Sequence, residues 1–103
     1  MSMDGMSWSD QGNTPFSLHI QVSGRVQGVG FRAWTAHEAT RLGITGFVRN
    51  CSDGSVEIRA EGSPDTLESF CTLLEAGNGL SRTEQIHKKR VQPHGYTRFS
   101  ITY

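Results

Sequence analysis

The fold of this chain is decided by residues 16–32, which read FSLHIQVSGRVQGVGFR. Apolar and polar residues alternate over the first eight positions, and this period of two predicts a half-buried strand that ends at Gly24. Three glycines then fall within seven positions, and apolar residues at helical spacing follow from Phe31 to Leu42. The stretch therefore predicts a strand, a glycine-rich loop and a helix in direct succession.

The predicted loop, residues 24–30, is suited to holding an anion. Glycine removes the Cβ that would block approach, so main-chain N–H groups can converge at the start of a helix, where the helix dipole adds positive potential. Arg32 adds a fixed charge and a planar fork of donors. We interpret the loop as a binding site for a phosphoryl group. Taken alone, it is equally consistent with an ordinary turn between a strand and a helix.

Further along the chain, the hydrophobic pattern predicts a second helix and more strands. We expect strands over residues 44–51, 56–61, 83–91 and 99–103, and a helix over residues 64–76. Asp53-Gly54 is a strong signal for a hairpin turn, and Ser63 followed by Pro64 is typical of a helix start. The order β-α-β-β-α-β with an extra terminal strand predicts an α+β, ferredoxin-like split βαβ sandwich. Its two helices would cover one face of a mainly antiparallel sheet.

Composition limits the partners of this chain. Its 103 residues give room for one domain, and its ten basic and ten acidic residues cancel. A formal net charge of zero provides no electrostatic case for nucleic acid or an anionic membrane, and it favours a small ligand bound by a local arrangement of groups. The sequence has no run of about 18 apolar residues, so we predict no transmembrane helix.

The N-terminal residues and the cysteines support two further expectations, about disorder and about the redox compartment. Residues 1–15 are rich in Ser, Gly, Asp, Asn and Gln, so we expect a disordered, mobile tail ahead of a domain over residues 16–103. They also lack the basic and apolar regions of a signal peptide. Cys51 and Cys71 match no metal or redox spacing and are expected to be free thiols, which favours a reducing cytoplasm.

The predicted topology brings a second polar side chain towards the loop. The first and third strands of a split βαβ fold lie side by side, and the second strand pairs with the third. The loop and the end of the second strand, which carries Asn50, can therefore approach the same end of the sheet. The Asn50 amide could hold a water in line with a bound phosphoryl group, while Arg32 and the loop N–H groups stabilise charge on its oxygens.

Two blocks of this sequence together resemble the acylphosphatase family. They are GRVQGVGFR at residues 24–32, and GFVRN at residues 46–50 with the DGSVE that follows at residues 53–57. The resemblance covers about residues 16–103. It implies a ferredoxin-like fold and hydrolysis of carboxyl–phosphate anhydrides such as acyl phosphates and carbamoyl phosphate. It also implies a reaction without metal, cofactor or covalent phosphoenzyme.

The resemblance assigns roles to residues of this chain. It implies that Arg32 is the essential arginine and Asn50 the asparagine that orients the water. The residues that it implies for substrate binding are Gly24, Arg25, Val26, Gln27, Gly28, Val29, Gly30 and Phe31. Two departures from the family pattern, Cys51 after Asn50 and the turn Gly77-Asn78-Gly79, are not expected to touch the chemistry directly. The expected partners are a small acyl phosphate and, in competition with it, inorganic phosphate or sulfate, bound to a monomer.

Several alternatives stay open at this point. Arg32 could form a surface salt bridge with Glu38 or Glu61, and Asn50 could serve only the adjoining turn. The domain could be a non-catalytic module that binds phosphate or another anion for regulation. An RNA-binding domain of the same fold is disfavoured, because the polar face of the first strand offers no aromatic platform for bases. The four histidines show no ligand spacing, so we predict no metal site.

Overall fold

A computed structural model describes residues 15–103. Its elements are β1 (Phe16–Arg25), α1 (Phe31–Arg41), β2 (Thr45–Asn50), β3 (Val56–Gly62), α2 (Pro64–Ala76), β4 (Arg82–Val91) and β5 (Phe99–Thr102). The predicted order of strands and helices is confirmed, and the predicted bounds agree with the observed ones to within one residue. The predicted tail remains a prediction, since residues 1–14 lie outside the described residues.

The five strands form one sheet in the order β4-β1-β3-β2-β5. Pairing of β1 with β3 and of β2 with β3 is antiparallel, as predicted. The terminal strand β5 pairs in parallel with β2, so that Arg49 lies beside Thr102. Asn50 lies beside Val56, and Val56 in turn lies beside Val22 of β1. The sheet therefore brings the ends of β1, β2 and β5 to the same side of the molecule.

Both helices cover one face of this sheet, and the core lies between the two layers. α1 buries Phe31, Thr35 and Ala39, which recur every four residues and so share one face of the helix. α2 begins as predicted, with Ser63 as N-cap and Pro64 at the first position, and the Ser63 hydroxyl accepts a hydrogen bond from the N–H of Thr66 at 3.3 Å. Its buried stripe is the predicted one: Leu67, Phe70, Cys71 and Leu74.

The first strand is longer than its sequence pattern indicates. It continues through Gly24 and Arg25, because β4 pairs with both residues after an irregularity that shifts the register at Ser23. Gly24 has a φ of 127°, and a Cβ placed there would lie 2.2 Å from the main-chain oxygen of Arg82. A side chain is therefore excluded at this position. The loop between β1 and α1 is accordingly residues 26–30, shorter than the predicted 24–30.

The opposite face of the sheet is polar, and Glu57 has two side-chain partners there. Glu57 accepts a hydrogen bond from Arg49 and lies 2.7 Å from Nε2 of His19. Burial raises the pKa of Glu57, but the hydrogen bonds from His19 and Arg49 outweigh it, so the pKa is lowered overall. His19 is half-buried, in contrast to the three exposed histidines. Within residues 15–103, neither helix is long and apolar enough to cross a membrane.

Candidate active site

A cavity of about 180 Å³ lies where β1, β2 and β5 end and α1 begins. This volume is below the range of about 300–1,000 Å³ that is common for drug-sized ligands, so the cavity suits a small group. Its walls come from the loop, the first turn of α1, the end of β2 and the C-terminal residues. The lining residues are Val26, Gly28, Gly30, Phe31, Arg32, Ala33, Asn50, Ile101 and Tyr103.

The loop presents main-chain donors that the described chain leaves unused. Gly28 and Gly30 both have a φ of 74°, a left-handed conformation that side chains disfavour. The N–H groups of residues 28–30 donate to no acceptor within residues 15–103, and the first N–H groups of a helix have no partner inside that helix. A Cβ at either glycine would meet no atom within 4 Å. The loop therefore offers donors beside open space, which is the arrangement of an anion-binding nest.

Arg32 lies at the first turn of α1 and is held by the C-terminal residues. Its Nη1 donates to the main-chain oxygen of Thr102 at 3.3 Å, and its guanidinium carbon lies 4.7 Å from the centre of the Tyr103 ring. The alternative salt bridges are not formed, because Glu38 pairs with Arg41 and Glu61 accepts main-chain N–H groups. A guanidinium has five donors, so several remain for a ligand in the cavity.

Asn50 lies at the end of β2, on the wall of the same cavity. Its Oδ1 is buried and accepts no hydrogen bond from the residues that the structure describes. A buried acceptor without a partner costs about 1–3 kcal/mol, so this oxygen is expected to meet a water or a ligand. The alternative role of Asn50 in the turn is not seen, since Asp53 Oδ1 receives the hydrogen bonds from the Ser55 hydroxyl and N–H. These bonds hold the pKa of Asp53 below its usual value.

Gln27 connects the loop to the turn that follows Asn50. Its Nε2 donates to the main-chain oxygens of Cys51 at 2.9 Å and Ser55 at 2.8 Å. Gln21 reaches the same turn through a 2.8 Å hydrogen bond to the Ser55 hydroxyl. The side chain of Gln27 therefore sets the distance between the loop and the end of β2, and it does not line the cavity.

The cavity brings together only some of the predicted site residues. Arg32 and Asn50 line it, as do four of the predicted binding residues: Val26, Gly28, Gly30 and Phe31. The side chains of Val26 and Phe31 are buried in the core, so these two residues offer the cavity main-chain groups. The other four predicted binding residues are absent from its walls: Gly24 and Arg25 belong to β1, Gln27 points to the β2–β3 turn, and Val29 packs against the core.

The sequence reasoning missed the contributions of two distant segments. Tyr103 was expected only to end the last strand, but its ring lies against Arg32. The turn 77–79 is not expected to touch the chemistry directly, and none of its residues lines the cavity, but Asn78 Nδ2 donates to the main-chain oxygen of Val29, within the loop, at 2.9 Å. An asparagine between two glycines is a turn signal, but it does not say which loop the turn will meet.

A larger groove, of about 560 Å³, lies between α2 and β4. Its lining includes acidic residues of α2 and the consecutive basic residues Lys88 to Arg90 of β4. None of the buried, unpartnered side-chain atoms found in residues 15–103 belongs to its lining. Nor does the described part of the chain bring three His, Cys, Asp or Glu side chains within reach of one metal ion. The smaller cavity is therefore the stronger candidate for a site.

Fold and cavity together define a small ferredoxin-like domain with a glycine-rich loop of unused main-chain donors at the start of its first helix. The family model for acylphosphatase matches residues 18–101. An acylphosphatase of Treponema denticola is 47% identical over 85 residues, which are 82% of this chain and 90% of that protein. The crystal structure of an acylphosphatase from Bacillus subtilis superposes with a TM-score of 0.83 at 40% identity, covering 85% of this chain and 99% of the other. An acylphosphatase structure from Coxiella burnetii gives the same TM-score at 30% identity and covers 86% and 94% of the two chains. The chain belongs to the acylphosphatase family.

Proposed function

We propose that this protein hydrolyses the carboxyl–phosphate bond of acyl phosphates and releases a carboxylate and inorganic phosphate. The observation that carries the proposal is the cavity in which Arg32, the loop N–H groups and the unpartnered Asn50 Oδ1 line the same small space. Membership of the acylphosphatase family supports it independently.

The proposed reaction is a direct, in-line attack of water on phosphorus. The N–H groups of the loop and the guanidinium of Arg32 bind the phosphoryl oxygens, and Asn50 Oδ1 accepts a hydrogen bond from the attacking water. As the water oxygen bonds to phosphorus, the bond from phosphorus to the acyl oxygen breaks and the carboxylate leaves with its electron pair. One proton of the water passes to a phosphoryl oxygen and the other stays on the attacking oxygen, so the products are a carboxylate and dihydrogen phosphate.

A site with so few functional groups is sufficient for catalysis when the substrate is an acyl phosphate. A carboxylate is a good leaving group, and phosphoryl transfer has a loose transition state, so little acid–base help is required. Positioning of the water and stabilisation of charge on the phosphoryl oxygens can then supply most of the rate enhancement. No metal, cofactor or covalent phosphoenzyme has a part in the proposed reaction.

Hydrolysis of benzoyl phosphate in the presence of a chelator tests this function. We expect turnover that the chelator does not change and that inorganic phosphate or sulfate inhibits competitively. Turnover that stops on chelation, or no turnover above the uncatalysed rate, would contradict the proposal. Binding of phosphate without turnover would instead support the non-catalytic anion-binding module.

We also propose that the protein acts as a monomer in the cytoplasm, without nucleic acid or a membrane as partner. Cys51 is half-buried and Cys71 is buried, and both are free thiols, which is consistent with a reducing compartment. The cavity is built from a single chain. Sedimentation equilibrium should return the mass of one chain at micromolar concentration, and a dimer mass would contradict the proposed monomer.

A further inference from the structure

The turn between α2 and β4 holds one asparagine side chain in a fixed orientation. Asn78 Oδ1 accepts hydrogen bonds from the N–H groups of Leu80 at 2.9 Å and Ser81 at 2.7 Å. The N–H of Asn78 donates to the Ser81 hydroxyl at 3.0 Å. With its oxygen committed twice, the amide has to direct Nδ2 away from the turn, and the atom that it meets is the main-chain oxygen of Val29, 2.9 Å away.

That oxygen belongs to the peptide bond between Val29 and Gly30, inside the anion-binding loop. No peptide bond among the described residues is cis, so the carbonyl and the N–H of this peptide point in opposite directions. Because the carbonyl points to Asn78, the N–H of Gly30 points away from Asn78. Gly30 lines the cavity and Asn78 does not, which assigns this N–H to the cavity side of the loop.

The peptide needs such a restraint, because one of its two residues is a glycine. Rotation of the Val29–Gly30 peptide changes ψ of Val29 and φ of Gly30, and Gly30 can adopt left-handed and right-handed conformations at little cost, so the carbonyl could turn towards the cavity. A carbonyl oxygen there would repel a phosphoryl oxygen. A donor that is fixed in advance binds an anion without the cost of ordering the loop at the moment of binding.

We propose that Asn78 is a positioning residue for the phosphoryl site, which it serves by anchoring the Val29 carbonyl so that the Gly30 N–H faces the ligand. This inference rests on the proposed function, since it takes the loop as the phosphoryl site. It gives a role in the site to the turn 77–79, which lies 49 residues from Val29 along the chain. Asn78 acts through the loop and does not itself touch the ligand.

Two substitutions at Asn78 and one matched control separate this role from a purely structural one. Asn78→Asp keeps an acceptor for the N–H groups of Leu80 and Ser81 but loses the donor to Val29, and Asn78→Ala loses the donor without adding charge. Ser81→Ala removes the hydroxyl that accepts from the Asn78 N–H and leaves the contact with Val29 in place. The Kd of inorganic phosphate, kcat and KM for benzoyl phosphate, and Tm are measured for each.

We expect both Asn78 variants to weaken phosphate binding roughly three- to tenfold, the effect of losing one hydrogen bond. The Ser81→Ala control should bind phosphate like the wild type even if its Tm falls. Unchanged phosphate affinity in Asn78→Ala would overturn the inference, as would weakening confined to Asn78→Asp, which would be an effect of charge. So would an equal loss of affinity in Ser81→Ala, because the turn as a whole would then be responsible.

The wild type in the same experiment keeps the two proposals distinguishable. If it neither binds phosphate nor hydrolyses benzoyl phosphate, the proposed function fails and the inference fails with it. If the wild type does both and the Asn78 variants match it in phosphate affinity, only the role of Asn78 is wrong. If it binds phosphate without turnover, the phosphate measurements alone decide the role of Asn78.

Discussion

Main-chain N–H groups converge at both ends of the central strands, but they have an acceptor within the described chain at only one end. At one end, three successive main-chain N–H groups, those of residues 94–96, donate to the carboxylate of Glu61, and that residue is only 2% exposed. At the other end, the N–H groups of residues 28–30 have no acceptor within the described chain. Both are concave arrangements of main-chain donors that suit an anion. At one end the anion is a side chain of the protein, and at the other, under the proposed function, it is the phosphoryl group of the substrate.

This difference distinguishes donors that bind a side chain of the protein from donors that the proposed function assigns to a ligand. Burial raises the pKa of Glu61, but the hydrogen bonds from the N–H groups of residues 94–96 and from Ser17 outweigh it, so the pKa is lowered overall. The interaction of Glu61 with the β4–β5 connection thus contributes to the folded state. The unused donors beside Arg32 contribute little until a ligand binds. Substitutions at the first end should therefore reduce stability, and substitutions at the second end should reduce activity.

The largest expected effect is that of Arg32→Ala on turnover. The variant removes the charged group from the cavity wall, so we expect kcat/KM for benzoyl phosphate to fall about a thousandfold, with severe loss of phosphate binding. Arg49→Ala is the matched control, because Arg49 lies one residue before Asn50 but pairs with Glu57 on the opposite face of the sheet. A loss of activity in the control as large as in Arg32→Ala would contradict the assignment of Arg32 to the site.

Asn50→Ala should separate binding from chemistry. Without the amide the attacking water is no longer held in line, so kcat should fall by roughly a hundredfold. The loop and Arg32 remain, so the Kd of inorganic phosphate should stay within about threefold of the wild-type value. Steady-state kinetics and calorimetric titration with phosphate measure the two quantities. If phosphate binding falls as far as kcat, Asn50 is a binding group and does not orient the water.

Glu61→Gln should give the opposite result at the other end of the sheet. The substitution replaces a carboxylate that accepts from three N–H groups by a weaker neutral acceptor, so we expect the free energy of unfolding to fall by about 1–3 kcal/mol. The kcat for benzoyl phosphate should change less than about twofold, because Glu61 is absent from the walls of the cavity. Urea unfolding measures the first quantity, and Glu84→Gln, at an exposed position of the edge strand, is the control. A large loss of kcat with unchanged stability would contradict the structural role assigned to Glu61.

The sequence predicted the parts of this site that follow from strand order. Alternation in β1 and β3 and the hairpin signal at Asp53-Gly54 were enough to bring Asn50 to the end of the sheet where the glycine loop lies. Placement of β5 beside β2 was not predictable, because four alternating residues specify a buried face and not a neighbour. The support of Arg32 by Tyr103 depends on that placement.

Contacts between loops were also beyond the reach of sequence patterns. Hydrophobic periodicity reports which side of an element is buried, but a turn such as Gly77-Asn78-Gly79 has no period. Its hydrogen bond to Val29 depends on where α2 ends in space. The same limit applies to Gln27, which lies within the glycine-rich stretch and was predicted to bind substrate, yet its side chain holds the β2–β3 turn.

The smallest expected effect is a difference in how acid destabilises the two ends. The pKa of Glu61 is lowered in the folded state, whereas in the unfolded chain it has its usual value of about 4.3. Between these two pKa values the unfolded state binds more protons than the folded state. The stabilisation by Glu61 is therefore complete above the unfolded pKa and is lost as the pH falls through the folded one. Urea unfolding at pH 7, 5 and 3.5 should show a smaller loss of stability on acidification in Glu61→Gln than in the wild type. Glu57 and Asp53 keep their own lowered pKa values in the variant, so part of the acid sensitivity should remain. Equal losses in the two proteins would mean that the N–H groups of residues 94–96 do not bind an ionised carboxylate. The contrast between these donors and the loop at residues 26–30 would then be wrong.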